Sequence, residues 1–191
     1  MGSVTPIPRS PIFWGEISPC EHAVQVYGDD RIFLDALEGF IGGGLAAGEA
    51  AIVIATPEHL AALEVRLEAR GIDLAAARHE RRYHGIPAER LLRDFMVDGW
   101  PDEERFLRVI TTLLEEARRG GRRVRAFGEM VALLWAQGHA AATVRLEHLW
   151  NKLCNRERFP LFCAYPKAGF TSDPASSLRE LCAAHSRVLF G

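Results

Sequence analysis

The sequence predicts an α/β domain of three layers, α/β/α, in which a mostly parallel central sheet lies between two layers of helices. Short apolar runs recur along the chain, and segments with helical periodicity separate them. One run, residues 50–56 (AAIVIAT), is almost continuously apolar, which is typical of a strand buried on both faces of a sheet. Parallel strands need long crossover connections, so this alternation predicts a parallel sheet covered by helices.

The first half of the chain contains three predicted strands, each followed by a helix. Residues 22–27 (HAVQVY) form the first strand, and the turn at residues 28–30 (GDD) provides the N-cap of the next helix. The strand at residues 50–56 precedes a helix that Pro57 opens and Gly71 ends. A weaker strand at residues 79–85 is followed by a helix that starts at Pro87.

The second half continues the same alternation after an interruption at residues 99–102 (GWPD). Residues 103–119 carry the clearest helical stripe of the chain, and residues 123–127 form a fourth strand. A helix at residues 141–154 and a strand at residues 160–165 follow. We predict a final helix at about residues 176–187.

Composition and charge limit the classes of function. The 191 residues are 48% hydrophobic and 25% charged, which fits a single domain with a full core. The net charge of −2 comes from well-mixed charges, so we expect no direct binding to nucleic acid or to a membrane. No apolar run approaches the roughly 20 residues of a membrane span, and no signal peptide is visible, which predicts a cytoplasmic protein.

Residues 1–18 are rich in proline and are predicted to form an extended arm, which leaves residues 19–191 as the single folded domain. The four cysteines lie far apart with no C-x-x-C pair, and the histidines lack the spacing of metal ligands. We therefore predict reduced thiols, no metal site and no cofactor.

Ligands of parallel sheets bind beyond the carboxyl ends of the strands, so the residues there are candidates for a site. No G-x-x-x-x-G-K-[ST] loop occurs, and Asp29 and Asp30 follow the first strand where a phosphate loop would present glycines and a lysine. The glycine run at residues 42–44 follows a helix instead, where it is expected to allow close packing or to end the helix. Neither a G-x-S-x-G elbow nor an H-E-x-x-H pair is present.

Glu129 follows the fourth strand directly, so it either caps the next helix or contacts a ligand, and the sequence leaves both roles open. Glu147 and Asn151 are one helical turn apart at the border of an apolar stripe, where they either tether a neighbouring loop or face a ligand. Tyr27 and Tyr165 end strands and could line a cleft. The candidate ligand-binding residues are Tyr27, Glu129, Glu147, Asn151 and Tyr165.

Six motifs occur in order: WGEISPCEH (14–22), GLAAGE (44–49), DGWPDEERF (98–106), VRAFGEMVALLW (124–135), LEHLWNKL (146–153) and FCAYP (162–166). Together they resemble the MEDS family, the sensory domain named after methanogens and methylotrophs and found in the dichloromethane-responsive regulator. The resemblance spans nearly the whole chain, to the segment that contains Cys182 and His185.

This resemblance implies a RecA/KaiC-like fold without a functional phosphate loop. It also implies a domain that senses small hydrocarbon derivatives and is usually joined to a histidine kinase or a DNA-binding module. Neither module is visible in this sequence, so we expect the signal to pass to a histidine kinase or transcription regulator as a partner protein. A homodimer is also compatible with the sequence.

The leading hypothesis is a non-catalytic sensory domain that binds a small, mostly apolar ligand at the carboxyl edge of the sheet. The alternative is a degenerate ATPase-like scaffold that acts only by protein–protein interaction. A third interpretation is an enzyme with Glu129 as general base, but the sequence offers no nucleophile or metal to work with it.

Overall fold

The computed structural model describes residue 14 and residues 17–169 and 185–190. Their strands are β1 (His22–Tyr27), β2 (Ala50–Ala55), β3 (Tyr83–Pro87), β4 (Met96–Val97), β5 (Trp100–Pro101), β6 (Val124–Gly128), β7 (Leu161–Pro166) and β8 (Arg187–Phe190). Their helices are α1 (Asp30–Ala46), α2 (Pro57–Ala69), α3 (Leu74–His79), α4 (Ala88–Phe95), α5 (Glu103–Ala117), α6 (Met130–Ala136) and α7 (Ala140–Glu157). A single 3-10 turn, Lys167–Gly169, follows β7.

Six strands form one sheet in the order β3-β2-β6-β7-β1-β8. All five pairings in this sheet are parallel. Strands β4 and β5 form a separate antiparallel pair. The N-terminal strand β1 therefore lies between two strands from the end of the chain.

Alternate side chains of each strand enter one of two cores, as the two-residue period of a strand requires. Ala51 and Val53 of β2 pack with α1, α2 and α3, whereas Ile52 and Ile54 pack with the helices α4–α7. The prediction of three α/β/α layers with a parallel sheet is thus confirmed. Among the described helices, none is long and apolar enough to span a membrane.

The glycine run of α1 allows a close approach to β6. A Cβ on Gly44 would lie 2.8 Å from both Cδ and Nε of Arg125. Arg125 is only 5% exposed, although it belongs to a central strand. Its guanidinium pairs with Glu49 and donates to the Phe40 carbonyl (3.1 Å). The expectation of close packing therefore holds at Gly44.

Two residues of the predicted N-terminal arm reach the core between α1 and the sheet. Trp14 is 5% exposed and Ile17 is 7% exposed. The Trp14 ring packs against Phe40 and Phe162, with centroid distances of 5.0 and 5.2 Å. The other residues of the first sixteen lie outside the described part of the chain.

Several predicted elements were wrong in position or kind. Residue 79 ends helix α3, which the sequence analysis missed, and the third strand begins only at Tyr83. Pro87 ends β3 and occupies the N-cap position of α4. Residues 100–101 pair with residues 96–97 as a short hairpin. Of the predicted final helix, residues 176–184 lie outside the described residues, and Arg187 starts strand β8.

Candidate functional site

The chain leaves neighbouring strands β2 and β6 toward opposite faces of the sheet. Helix α2, which follows β2, packs on the face of α1 and α3, whereas α6, which follows β6, packs on the other face. In parallel sheets, ligands bind at the carboxyl ends of two neighbouring strands whose following helices lie on opposite faces. Glu129 and Thr56 are the first residues after these two strands.

The Glu129 carboxylate connects the end of β6 with the residues that follow β2. Its Oε2 accepts from the backbone N–H of Thr56 (2.8 Å), and its Oε1 accepts from Nδ1 of His59 (2.7 Å). The Glu129 side chain is 7% exposed. It occupies the N-cap position of α6 without a side-chain capping bond there. Of the two roles left open by the sequence, capping of the following helix is therefore not the role that this carboxylate has.

An aromatic wall adjoins the carboxylate. The ring of Tyr27 stacks on Phe33 at 4.8 Å, and Phe33 meets the ring of His59 edge-on at 4.9 Å. We call Tyr27, Phe33, Thr56, His59 and Glu129 the edge cluster. Phe33 is fully buried, whereas 18% of the His59 side chain is exposed. The edge cluster thus combines one buried carboxylate with buried aromatic rings.

The charges of the edge cluster follow from these contacts. The hydrogen bond to Glu129 raises the pKa of His59, although burial of the ring opposes the change. Burial raises the pKa of Tyr27, and the nearby Glu129 carboxylate raises it further. Tyr27 is consequently a neutral phenol at physiological pH, and Glu129 faces a histidine that favours its protonated form.

The turn after β1 holds a carboxylate where a phosphate loop would bind phosphate. Asp29 caps α1 by accepting from the backbone N–H of Arg31 (2.8 Å). It also pairs with the Arg31 guanidinium at 2.7 Å. A phosphate at this helix terminus would meet the negative charge of Asp29.

A second set of polar side chains lies on the other face of the sheet, between the sheet and α7. We call it the buried cluster: His22, Glu147, Cys163, Tyr165 and His185. His22 begins β1, Cys163 and Tyr165 belong to β7, Glu147 belongs to α7, and His185 lies two residues before β8. Glu147 is 1% exposed, and the most exposed member is His185 at 9%.

Side-chain atoms of four members converge on one point. Oε2 of Glu147 lies 3.5 Å from Nε2 of His22 and 3.4 Å from Nε2 of His185. Sγ of Cys163 lies 3.4 Å from Nε2 of His22 and 4.0 Å from Oε2 of Glu147. The hydroxyl of Tyr165 donates to the other oxygen of Glu147. The four converging residues, which do not include Tyr165, have the donor types and the spacing of a metal site.

The two histidines keep Glu147 ionised in spite of its burial. Burial alone would raise the pKa of Glu147, but His185, His22 and Tyr165 hold it below its usual range. Burial, together with the charge of Glu147, raises the pKa of the Cys163 thiol well above its usual value. The same two causes raise the pKa of Tyr165.

The five predicted site residues fall into different places. Tyr27 and Glu129 lie together in the edge cluster, whereas Glu147 and Tyr165 belong to the buried cluster on the opposite face. Asn151 belongs to neither cluster, and its Oδ1 accepts from Asn155 at 3.1 Å.

Six members of these clusters were not among the five candidate residues: Phe33, Thr56 and His59 of the edge cluster, and His22, Cys163 and His185 of the buried cluster. The last three lie far apart in the chain, at positions 22, 163 and 185, so no local spacing reveals a shared site. One signal was present. His22 and Cys163 interrupt apolar strands at positions that face the same core as Val24.

Comparison with known proteins gives one family. A family model described as the methanogen/methylotroph, DcmR sensory domain (MEDS) matches residues 21–186. No curated protein matches the chain.

Proposed function

The chain belongs to the MEDS family of sensory domains, and from this membership we propose that it is a non-catalytic signal-transduction domain whose ligand binds at the edge cluster. The proposed ligand is a small, mostly apolar molecule, such as a hydrocarbon derivative. The signal passes to a partner protein, a histidine kinase or a transcription regulator.

The bridge formed by Glu129 is the observation that supports this placement. Binding sites for small molecules are mostly apolar and contain a few polar groups that fix orientation. The edge cluster has this composition, since the buried rings of Phe33 and Tyr27 lie beside one carboxylate. It also lies at the reversal between β2 and β6, where sheets of this type bind ligands.

The same bridge suggests how binding reaches the rest of the domain. Glu129 follows β6, and its partners Thr56 and His59 begin α2. A ligand that takes the place of His59 at the carboxylate would remove one of the two contacts that join the start of α2 to the end of β6. Such a ligand transmits a signal only if it binds one of the two arrangements more tightly than the other.

We would test the proposal with a panel of short hydrocarbon derivatives, including halogenated ones, by ligand-observed NMR and calorimetry. Glu129→Gln should weaken binding of any hit by about tenfold or more, because it removes a charge-assisted contact. It should change stability by less than about 1 kcal/mol, since the amide still accepts from Thr56 and can donate to the other tautomer of His59.

Glu38→Gln is the matched control. Glu38 is similarly buried, with 11% of its side chain exposed against 7% for Glu129, but it pairs with Arg66 and Arg70 away from the edge cluster. This variant should bind the hit like the unmodified protein. Equal affinity of Glu129→Gln and the unmodified protein would contradict the proposed site, and a folded protein that binds nothing in the panel would contradict the proposed ligand class.

A further inference from the structure

We propose that His22, Glu147, Cys163 and His185 bind one Zn²⁺ ion within the buried cluster. This site lies on the other face of the sheet from the edge cluster, and the inference does not depend on ligand binding there. Sequence analysis predicted no metal, because the four residues are spread over more than 160 positions of the chain.

The geometry fits a tetrahedral ion. With metal–ligand bonds of roughly 2.0–2.3 Å, the ligand atoms of a zinc site lie about 3.3–3.8 Å from one another. Three of the measured separations are 3.4, 3.4 and 3.5 Å. All the donor atoms lie within 4.8 Å of one another. Binding therefore requires only that the wider pairs draw together.

The donor set selects the class of metal. One thiol, two imidazoles and one carboxylate suit zinc, whereas magnesium and calcium prefer oxygen ligands alone. When Zn²⁺ binds, bonds form between the metal and Sγ of Cys163, Nε2 of His22 and of His185, and Oε2 of Glu147; the thiol proton and the Nε2 proton of any protonated histidine leave to solvent. The two negative ligands then balance the charge of the ion, so the buried site is neutral overall.

Neighbouring groups orient the ligands. The Tyr165 hydroxyl holds one oxygen of Glu147 and leaves Oε2 directed at the three other donors. Contacts of this kind to a ligating carboxylate are usual around metal sites. Near His22, the N–H of Ser186 donates to the His22 carbonyl (2.8 Å), which fixes the backbone beside His185.

Four protein ligands leave no open position, which is typical of a structural zinc site. The ligands come from β1, α7, β7 and the residues before β8. β8 is an edge strand whose neighbour in the sheet is β1. The ion thus fastens this edge strand to the middle of the domain.

The test begins with full-length protein purified without a histidine tag and its zinc content by mass spectrometry. Metal-free protein is then titrated with Co²⁺, because tetrahedral cobalt gives strong visible bands and a thiolate ligand adds a near-ultraviolet charge-transfer band. We expect one metal per chain, both features in the spectrum, and a zinc-dependent rise of several degrees in the unfolding midpoint.

Cys163→Ser should abolish the charge-transfer band and weaken zinc binding at least about 100-fold. Loss of a direct ligand should cost at least as much affinity as the largest losses seen when a group that contacts a ligand is removed. Cys154→Ser is the matched control. Cys154 is also buried, but its thiol donates to the Phe159 carbonyl (2.9 Å) outside the four ligands. It should keep the band and the affinity.

His185→Ala provides a second variant should Cys163→Ser fail to fold, and it should lose affinity to a similar degree. The proposal is overturned if folded wild-type protein binds neither zinc nor cobalt at one per chain. It is also overturned if the charge-transfer band survives in Cys163→Ser, or if His185→Ala binds zinc as tightly as the wild type.

Discussion

The pairing of His59 with Glu129 should make stability depend on pH. The pKa of His59 is raised above its ordinary value of 6.5, first by the hydrogen bond to Glu129. A raised pKa in the folded state contributes stability that is complete below about pH 6.5 and is lost as pH rises through the folded pKa. The carboxylates of Asp30 and Glu58 also face His59 and act in the same direction.

We therefore expect the urea midpoint of the wild type to fall more than that of Glu129→Gln as the pH rises above about 6.5. The difference between the two proteins cancels the titration of the other histidines. Parallel pH profiles for the wild type and Glu129→Gln would contradict the assigned pair.

Sequence alone singled out Glu129 because an acid directly after an apolar strand is unusual. It could not supply the partners, since His59 lies 70 positions away and reaches the carboxylate only through the pairing of β2 with β6. Glu147 was likewise found from its helical position. The prediction that Glu147 lies at the carboxyl edge of the sheet was wrong, since its carboxylate belongs to the buried cluster. Helical spacing does not specify the direction of a side chain.

The glycines of α1 allow a sharp test of packing. Gly44→Ala should destabilise the protein by about 1–3 kcal/mol, because the new Cβ would overlap the buried and ion-paired side chain of Arg125. Gly43→Ala is the matched control on the same helix. Its Cβ would lie 3.9 Å from Arg125, so the better helix propensity of alanine should stabilise by about 0.5–1 kcal/mol.

Urea unfolding of both variants measures these differences. Equal stability of Gly44→Ala and Gly43→Ala would show that Arg125 can move aside, contrary to its place against Glu49 and the Phe40 carbonyl.

The elements that were predicted correctly are those with long, strong patterns. Residues 50–55 form a strand and residues 103–117 a helix, close to the predicted bounds. Helix α3 has only six residues, and strands β4 and β5 have two residues each. Segments this short carry too little periodicity to be detected from the sequence. Their positions depend on contacts with the rest of the fold.

The N-terminal arm should be needed for stability only from Trp14 onward. The prolines at positions 6, 8 and 11 disfavour regular hydrogen bonding, so a chain that begins at Phe13 should match the full chain within about 0.5 kcal/mol. Trp14→Ala should cost roughly 3–5 kcal/mol, since the ring is buried against Phe40 and Phe162.

Trp100→Ala is the matched control for the loss of a tryptophan. Trp100 is 48% exposed, and its removal should cost less than about 1 kcal/mol. Denaturant unfolding of the three proteins provides the comparison. A large loss of stability in the chain that begins at Phe13 would contradict the prediction that residues 1–12 are dispensable for folding.

The place of β1 in the sheet has a consequence for biosynthesis. Among the described strands of the sheet, β1 is the first to leave the ribosome, yet its neighbours are β7, which starts at Leu161, and β8. At about 5–20 residues per second, translation needs on the order of ten seconds to travel from β1 to β7. For that interval the apolar strand of the nascent chain has neither of its native neighbours available, which makes it a natural substrate for chaperones that hold unfolded segments.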